Sequence, residues 1–241
     1  MQDGLYVALS AQIALEKRLT TIADNVANMS TVGYRATEVK FEDVVSGVGQ
    51  TSIAFASPGD TYLSEKAGGF RETRSPFDFA VQGDAWFGIE TPAGTVMTRD
   101  GRFTMTETGQ LVTHQGYAVL DAGGAAIQLD PQNGAPAVGR DGIIRQDGQL
   151  VGSIGLFDFN PGPNFNRFGN SGIIPEGEPD PVVDRIDVGV AQGFLEEANV
   201  NPVLEMTRLI MVQRSFENAS AMMRDTEATL DDAVKTLGGN S

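Results

Sequence analysis

The 241-residue sequence contains no cysteine, so it can form neither a disulfide framework nor a zinc–thiolate site, and it offers no thiol nucleophile. It contains one histidine, His114, which lies in a turn-like stretch, so any histidine-activated hydroxyl would have to use that residue. No phosphate-binding loop, calcium loop or zinc-protease motif occurs. We therefore predict no catalytic residue, no cofactor, no metal site and no enzymatic activity.

Basic residues are scarce relative to acidic ones. The chain has 17 Lys and Arg against 32 Asp and Glu, which gives a formal net charge of -15. Nucleic acids and anionic membrane surfaces bind proteins through clustered Lys and Arg. Neither is therefore expected as a partner, and the usual meaning of such acidity is solubility.

Long apolar runs are also missing. No stretch approaches the roughly 18 apolar residues of a membrane-spanning helix, so we expect no membrane insertion. The N-terminus does not resemble a cleaved secretory signal, because Asp3 stands where basic residues belong and Glu16, Lys17 and Arg18 interrupt any apolar core. The chain is thus expected to stay in the cytoplasm or to leave it without a cleaved signal.

A heptad pattern near the C-terminus is the strongest positive feature. Pro202 precedes it and Gly238 follows it, which is typical helix punctuation. It predicts a helix of about 35 residues, with Asn199 or Asn201 as the N-cap. The acidic pair Glu196–Glu197 is interpreted as favourable charge at the start of this helix. We call its apolar stripe the seam, which comprises Leu209, Val212, Phe216, Met223, Leu230 and Leu237.

Residues 4–28 show a similar pattern and predict a second long helix. Its stripe contains Leu5, Leu15, Leu19, Ile22 and Val26. Because an amphipathic helix gains most of its stability by packing its apolar face, the two helices are expected to pair as a coiled coil.

Further apolar residues, such as those at positions 9 and 13, lie beside these stripes and suggest partners from other chains. Two competing interpretations stay open. The C-terminal segment can be an ordinary long core helix, and the central domain can cover the leftover apolar surface.

The predicted fold class is α+β, with paired terminal helices and a central β-rich domain of hairpins and meanders. The terminal helical domain is predicted to comprise residues 1–35 and 196–241. Residues 36–74 are predicted to be an extended or loop-like linker. Repeated Asp-Gly and similar turn signals place the β-rich domain at 75–195. Within it, the Pro-, Asn- and Gly-rich stretch 160–181 is predicted to be a long loop, and Gly33 is predicted to have a positive φ.

Four separated motifs resemble the bacterial flagellar rod and hook axial family. Residues 25–35 (NVANMSTVGYR) are similar to its N-terminal signature, and residues 197–217 contain EANVN, LEM and QRSFE of its C-terminal signature. Residues 76–87 and 98–103 resemble its shared β-domain motifs. The residues carried over to the terminal signatures are Asn25, Asn28, Thr31, Gly33, Tyr34, Asn199, Val200, Asn201, Gln213 and Arg214.

The chain looks most like the proximal-rod member of this family. The resemblance implies a structural subunit that polymerises helically through its terminal helices, forming the axial drive shaft and the wall of an export channel. Implied partners are copies of itself or other rod proteins and the flagellar type III export apparatus. The implied location is the periplasmic part of the basal body.

Alternatives remain at the level of the sequence. A distal-rod or hook-family protein would share the same motifs. A soluble binding module would require a ligand-sized apolar pocket in the β domain. A surface adhesin or coiled-coil oligomer outside the flagellum is the third alternative.

Overall fold

A computed structural model describes residues 2–41, 43–46, 53–57, 59–183 and 185–238. The chain divides into two compact units. Unit 1 comprises Met1–Ala27, Thr37–Thr61 and Asn201–Ser241, and unit 2 comprises Asn28–Ala36 and Tyr62–Val200. Each unit is therefore assembled from segments that are distant in the sequence. The domain limits predicted from the sequence differ from the limits of these two units. They stay a prediction about which parts of the chain fold independently.

Unit 1 contains the two helices found among the described residues. They are α1 (Gln2–Ala27) and α2 (Pro202–Gly238), and the unit also holds β1 (Thr37–Lys40), β2 (Asp43–Ser46) and β3 (Ile53–Ala56). Strands β2 and β3 pair antiparallel. Helix α1 contacts α2, β1 and β3. The predicted terminal helices are thus present, and α2 has 37 residues. Within the described residues, neither helix is long and apolar enough to cross a membrane.

The predicted fold class is wrong in one respect, namely the coiled coil that the two terminal helices were expected to form. The described residues show two helices and a large β-rich body, without coiled-coil pairing of the helices along their lengths. The physical reason is that α1 divides its surface between α2 and the strands β1 and β3, rather than devoting it to one partner helix. On α2, the seam is also incompletely covered, because Leu209, Phe216 and Met223 are only half-buried.

Strand β4 (Asp60–Leu63) begins in unit 1 and ends in unit 2. The next strands of unit 2 are β5 (Phe70–Glu72), β6 (Phe79–Gln82), β7 (Trp86–Thr91), β8 (Gly94–Thr98), β9 (Phe103–Met105), β10 (Leu111–Thr113), β11 (Ala118–Val119) and β12 (Ala137–Val138). The remaining strands are β13 (Ile143–Gln146), β14 (Gln149–Ser153), β15 (Leu156–Asp158), β16 (Asn166–Phe168), β17 (Gly172–Ile174), β18 (Asp180–Pro181), β19 (Gly189–Gln192) and β20 (Phe194–Glu196).

The largest sheet of the described residues has nine strands, with β16-β17-β8-β7-β11-β10-β9 as its main path. Strand β15 pairs with β7 and with β18. Smaller sheets are formed by β12-β13-β14, by β6 with β19 and by β5 with β20. The strands paired in these sheets run antiparallel, as hairpins and meanders require. The predicted β-rich middle of the chain is therefore present.

Strands occur both in the predicted long loop and in the predicted extended or loop-like linker. The span 160–181 holds β16, β17 and β18, so the predicted long loop is wrong. The span 36–74 holds β1 to β5 among its described residues. In 160–181 the Gly and Asn residues that suggested a loop make the turns between short strands: Gly162, Asn164 and Gly169 have positive φ angles.

The core of unit 2 lies between these sheets and is rich in aromatic side chains. Phe79, Phe87 and Phe103 pack together, with the Phe87 and Phe103 ring centroids 5.2 Å apart and the rings edge to face. The buried cluster comprises Phe79, Val81, Ala85, Phe87, Ile89, Val96, Phe103, Leu111, Val119, Ile127, Leu129, Ile144, Ile154, Leu156, Val188 and Val190. This core fixes the ends of β7 and β8, which carry part of the site described next.

Candidate functional site

The predicted packing residues of the terminal helices form the least exposed faces of α1 and α2. On α1, Ile22 is buried and Leu15, Leu19 and Val26 are half-buried. On α2, Val212 is buried, and the seam residues Leu209, Phe216 and Met223 are half-buried. The side chains of Leu5, Leu230 and Leu237 lie outside the described part of the structure. Their role in subunit packing stays a prediction.

Large apolar residues remain exposed beside the seam. With about 100° of rotation per helical residue, they fall on two stripes, one on each side of it. The first flank contains Leu204, Met211 and Met222, which are 46%, 64% and 70% exposed. The second flank contains Val203, Met206 and Ile210, which are 76%, 45% and 53% exposed. Helix α2 therefore presents apolar surface on three sides over its first half.

Two polar motif residues of the N-terminal signature organise the end of α1. The side chain of Asn25 is buried and exchanges two hydrogen bonds with the backbone of Thr37: Thr37 N donates to Oδ1 at 2.9 Å, and Nδ2 donates to Thr37 O at 3.0 Å. These bonds stay within unit 1. In unit 2, Thr31 donates its hydroxyl to Asn28 Oδ1 at 3.1 Å. The asparagines thus close the chain reversal after α1.

Gly33 has a φ of +67°, which confirms the predicted positive angle. Its N–H donates to the carbonyl oxygen of Glu196 at 2.8 Å. A Cβ atom at this position would lie 2.3 Å from the carbonyl carbon of Arg99 and from the nitrogen of Asp100. Only glycine fits, because the left-handed backbone and the close approach of residues 99–100 both exclude a side chain.

Asn199 joins the two terminal signatures inside unit 2. Its Oδ1 accepts a hydrogen bond from Ala36 N at 2.7 Å, and its Nδ2 donates to the carbonyl oxygen of Lys66 at 2.7 Å. Its backbone N–H donates to the carbonyl oxygen of Tyr34 at 3.3 Å. Tyr34 is 1% exposed. One amide side chain therefore ties together three segments of unit 2.

The other residues of the C-terminal signature have separate roles. Val200 is buried in unit 2. Asn201 is the N-cap of α2, because its Oδ1 accepts a hydrogen bond from Leu204 N at 3.1 Å. Gln213 and Arg214 are exposed on α2, where Gln213 donates to Glu217 Oε1 at 3.2 Å. Gln213 and Arg214 therefore lie apart from the residues that the motifs bring together.

Three buried charged residues from three separate parts of the chain, two of them within motifs and one directly before a motif, meet beside the only tryptophan. We call Arg35, Arg99 and Glu196 the charge cluster. Glu196 Oε1 is 2.9 Å from Arg35 Nη2, and Glu196 Oε2 is 3.2 Å from Arg99 Nη1. The guanidinium carbons of Arg99 and Arg35 lie 5.1 Å and 5.9 Å from the centroid of the Trp86 ring. One carboxylate thus pairs with two cations against an aromatic face.

Backbone groups make further hydrogen bonds to the charge cluster, whereas Nε of Arg35 and Nε of Arg99 are buried without a hydrogen-bond partner. Arg99 Nη2 donates to Gly83 O at 3.0 Å, within the motif at 76–87. Arg35 Nη1 donates to the carbonyl oxygens of Glu65 and Lys66 at 2.9 Å and 2.8 Å. Gly68 N donates to Glu196 Oε1 at 3.1 Å. Three of the four sequence motifs therefore contribute to one buried junction in unit 2, and Glu196 directly precedes the fourth.

The pKa of Arg99 is lowered to about 10, mainly because burial disfavours its charged form. Glu196 opposes this shift, and the neighbouring charge of Arg35 adds to it. At neutral pH Arg99 therefore remains a cation, but one that is costly to keep buried.

The sequence interpretation of Glu196 is wrong. Glu196 ends β20 and is buried, whereas α2 begins six residues later at Pro202. It therefore pairs with arginines rather than with a helix N-terminus. The charge cluster itself was missed, although each of its residues lies in or beside a motif that also contains glycine or asparagine. Its signal in the sequence is that Arg35 and Arg99 lie within motifs and that Glu196 directly precedes one.

The remaining candidates for chemistry give no catalytic arrangement. His114 is exposed in the turn after β10. The described residues contain no group of three or more side chains that could hold a metal ion. A pocket of about 360 Å³ in unit 2 is lined mainly by polar residues, including Thr98, Asp100, Arg102 and Asn170. Because Asp100 and Arg102 pair with each other, this pocket is not the apolar ligand site that a binding module would require.

Three family models match successive parts of the chain. They are described as flagella basal body rod protein for residues 5–35, flagellar hook protein FlgE/F/G D1 domain for residues 80–146, and flagellar basal body rod FlgEFG protein C-terminal for residues 191–236. Each residue of the charge cluster falls inside one of these three matched ranges.

Comparison with curated proteins gives relatives of nearly the same length. The chain is 69% identical to flagellar basal-body rod protein FlgF of Mesorhizobium japonicum, with 100% of both chains covered. It is 56% identical to FlgF of Rhizobium meliloti, again over 100% of both chains. It is 35% identical to FlgF of Caulobacter vibrioides, with 99% of each chain covered.

Proposed function

Since this chain belongs to the family of flagellar basal-body rod proteins, as a member of its proximal-rod type, we propose that it joins its neighbours in the rod through the flanks of α2 and the exposed side of α1. It is a structural subunit of the basal body and not an enzyme. Its assembly with other rod and hook proteins follows from the same family membership. What we propose is which surfaces of the chain make the contacts between subunits.

The observation that carries the proposal is the exposed apolar surface of α2. The two flanks together hold six large apolar side chains that are between 45% and 76% exposed. On α1, Leu9 and Ile13 are 44% and 48% exposed. Large apolar side chains grouped on exposed stripes of a soluble protein usually mark a protein interface. Since the seam already faces inward, the flanks are available for helices of neighbouring subunits.

Neighbouring terminal helices suit these flanks better than other partners do. A helix with apolar stripes on several sides is stable where it is surrounded by other helices. Copies of this chain, or other rod proteins with similar terminal helices, supply such surfaces. Repeated head-to-tail contacts that do not close into a ring build a helical tube. The tube would form the drive shaft of the flagellum and the wall of its export channel.

The same proposal covers the place of the chain within the basal body and the way in which it is exported. We place the chain in the periplasmic part of the rod, to which the flagellar type III apparatus exports it without a cleaved signal. The distal-rod and hook-family alternative predicts the same contacts. The relatives at 69% and 56% identity are named FlgF rod proteins and support the proximal rod instead.

The test is a double substitution on the first flank, Met211→Ser with Met222→Ser. Both side chains are exposed, so the free energy of unfolding of the isolated subunit should change by less than about 1 kcal/mol. In cells whose only copy carries the substitutions, rods should stop at this subunit, and hooks and filaments should be absent. Electron microscopy of purified basal bodies and a swimming assay measure both effects.

The matched control is Asp225→Ser, an exposed polar position on the same helix. It should assemble and swim normally. Normal rods and motility in the double variant would show that the first flank is not an assembly surface. An unfolded isolated subunit would show instead that these residues stabilise the monomer.

A further inference from the structure

Two hairpins of unit 2 are similar in sequence. Residues 99–101 and 140–142 both read Arg-Asp-Gly, and residues 109–112 and 148–151 both read Gly-Gln-Leu-Val. The first two segments enclose the β9–β10 hairpin in the same way as the other two enclose the β13–β14 hairpin. The glycine that opens each Gly-Gln-Leu-Val segment has a positive φ, of +89° and +78° respectively. The two hairpins can therefore be compared position by position.

The hairpins differ in what covers their leucine and valine. In the first hairpin, Leu111 and Val112 are 1% and 5% exposed, and β10 lies between β9 and β11 in the nine-stranded sheet. In the second, Leu150 and Val151 are 70% and 36% exposed, and β14 is an edge strand of the sheet β12-β13-β14. Proteins usually protect such an edge with charged residues or cover it. The second hairpin therefore presents an apolar edge where the first has a neighbouring strand.

A second exposed apolar surface of unit 2 lies in the connection between β18 and β19. Ile186 and Val183 in this connection are 92% and 69% exposed. Together with Leu150 they are the three most exposed large apolar side chains in the described part of unit 2. We call Leu150 and Val151 the edge patch, and Val183 and Ile186 the loop patch.

The loop patch is held in place by polar contacts on both sides of Ile186. Arg140 Nη2 donates to the carbonyl oxygen of Ile186 at 3.2 Å. The preceding residue, Arg185, pairs with Asp158 at 3.0 Å and with Asp187 at 2.6 Å. A side chain that is already fixed in one position loses less conformational entropy when a partner binds it. The loop patch is therefore preorganised for contact.

The two patches lie at opposite ends of β13. Arg140, which binds Ile186, belongs to the turn between β12 and β13. The edge patch begins two residues after the turn at 147–148, which joins β13 to β14 at the other end. When surfaces at opposite ends of a subunit bind each other, the contact is head to tail, and it repeats from copy to copy instead of closing a twofold dimer.

Charges at the two ends are complementary. Among the described residues, Arg140 and Asp141 near the loop patch have no ion-pair partner, and neither do Arg145 and Asp147 near the edge patch. Each end thus offers one exposed cation and one exposed anion, which can form two opposite-charge pairs when the ends meet. Such pairs matter for a chain with a net charge of -15, because its copies otherwise repel each other.

We propose that the loop patch of one copy covers the edge patch of the next copy, which joins unit 2 of neighbouring subunits head to tail. The loop patch then supplies to β14 the apolar cover that β10 receives from its own chain. This inference rests on the proposed assembly of the chain with its copies, and it adds a contact surface separate from α1 and α2.

The absence of cysteine makes the contact accessible to site-specific cross-linking. A chain that carries both Leu150→Cys and Ile186→Cys should form covalent dimers and larger oligomers when purified basal bodies are treated with a short bismaleimide. Each single variant should give no cross-linked product, because the contact joins unlike patches. Cells that express both single variants should give dimers and nothing larger.

The matched control pairs Ile186→Cys with Glu107→Cys, which is an exposed position in the turn of the first hairpin. It should give no cross-linked oligomers. Rods that carry the Leu150 and Ile186 cysteines but do not cross-link would overturn the proposal and leave the helix flanks untouched. Dimers from either single variant would also overturn it, because they would show a contact between like patches.

A second variant covers the case in which the cysteine pair prevents rod assembly. Leu150→Ser should leave the urea midpoint of the isolated subunit unchanged and lower the fraction of basal bodies that carry a hook. Gln149→Ser, an exposed polar position on the same strand, is the control and should assemble normally. Normal rods in Leu150→Ser would contradict the contact. The Met211 and Met222 variant reports on α2 independently, so failure of one surface is distinguishable from failure of the other.

Discussion

Two constraints coincide at Gly33, and each has its own free-energy cost. The backbone has a φ of +67°, and the backbone of residues 99–100 lies where a Cβ would be. The first constraint was predictable from the sequence, since a glycine in a turn-rich segment after a helix commonly has a positive φ. The second was not, because it depends on a segment more than sixty positions away in the chain.

Gly33→Ala should therefore destabilise unit 2 by more than the about 1–2 kcal/mol expected for a left-handed alanine alone. Gly169→Ala is the matched control: its φ is +59°, and no atom lies within 4 Å of the added Cβ. Urea unfolding followed by Trp86 fluorescence gives both free energies. Equal losses in the two variants would mean that residues 99–100 move aside without cost.

The charge cluster marks the limit of residue-by-residue prediction. Arg35 was recognised as part of a motif, and Glu196 was assigned to the start of α2. Their pairing depends on the meeting of segments separated by most of the chain, and periodicity or spacing contains no information about it. A buried ion pair also looks the same in sequence as two solvated charges.

At the scale of single elements, local chemistry predicted the helices well. Pro202 occupies the first residue of α2, Asn201 caps it, and the helix ends at Gly238. Strands were harder to predict, because their partners are distant: Ile173 of β17 lies opposite Met97 of β8. The stretch 160–181 therefore resembled a loop, since its short strands are stabilised by a sheet to which other segments contribute.

Asn201→Ala should destabilise α2 by about 1 kcal/mol, because the Leu204 N–H loses its side-chain acceptor. Asn201→Ser retains a capping oxygen and should restore most of this stability. Helical circular dichroism during urea unfolding measures the difference. No change in Asn201→Ala would indicate that solvent replaces the cap.

At the scale of the whole molecule, the sequence predicted a β-rich middle and helical ends, but not the division into units. Unit 2 takes residues 28–35 from the predicted terminal helical domain and residue 36 from the predicted linker. The predicted coiled coil failed for a related reason. A heptad pattern shows that a helix has an apolar stripe, but not whether one helix or a helix and several strands cover it.

A fragment of residues 62–200 should fold into a β-rich domain, because it contains the complete nine-stranded sheet and its apolar core. It lacks Arg35 and Tyr34, so Trp86 emission should lie at longer wavelength than in the full chain. Its urea midpoint should also be lower. Circular dichroism and fluorescence test this, and a fragment without cooperative unfolding would show that residues 28–36 are required for the fold.

The bond between Ala36 and Asn199 spans 163 positions of the sequence. A chain delivered from its N-terminus, whether by a ribosome or through a narrow channel, cannot make this bond until Asn199 has emerged. By then only α2 and the last few residues remain to follow. The order of synthesis or delivery therefore delays the pairing of Arg35. Arg35 emerges early, but its partner Glu196 emerges only when the chain is almost complete.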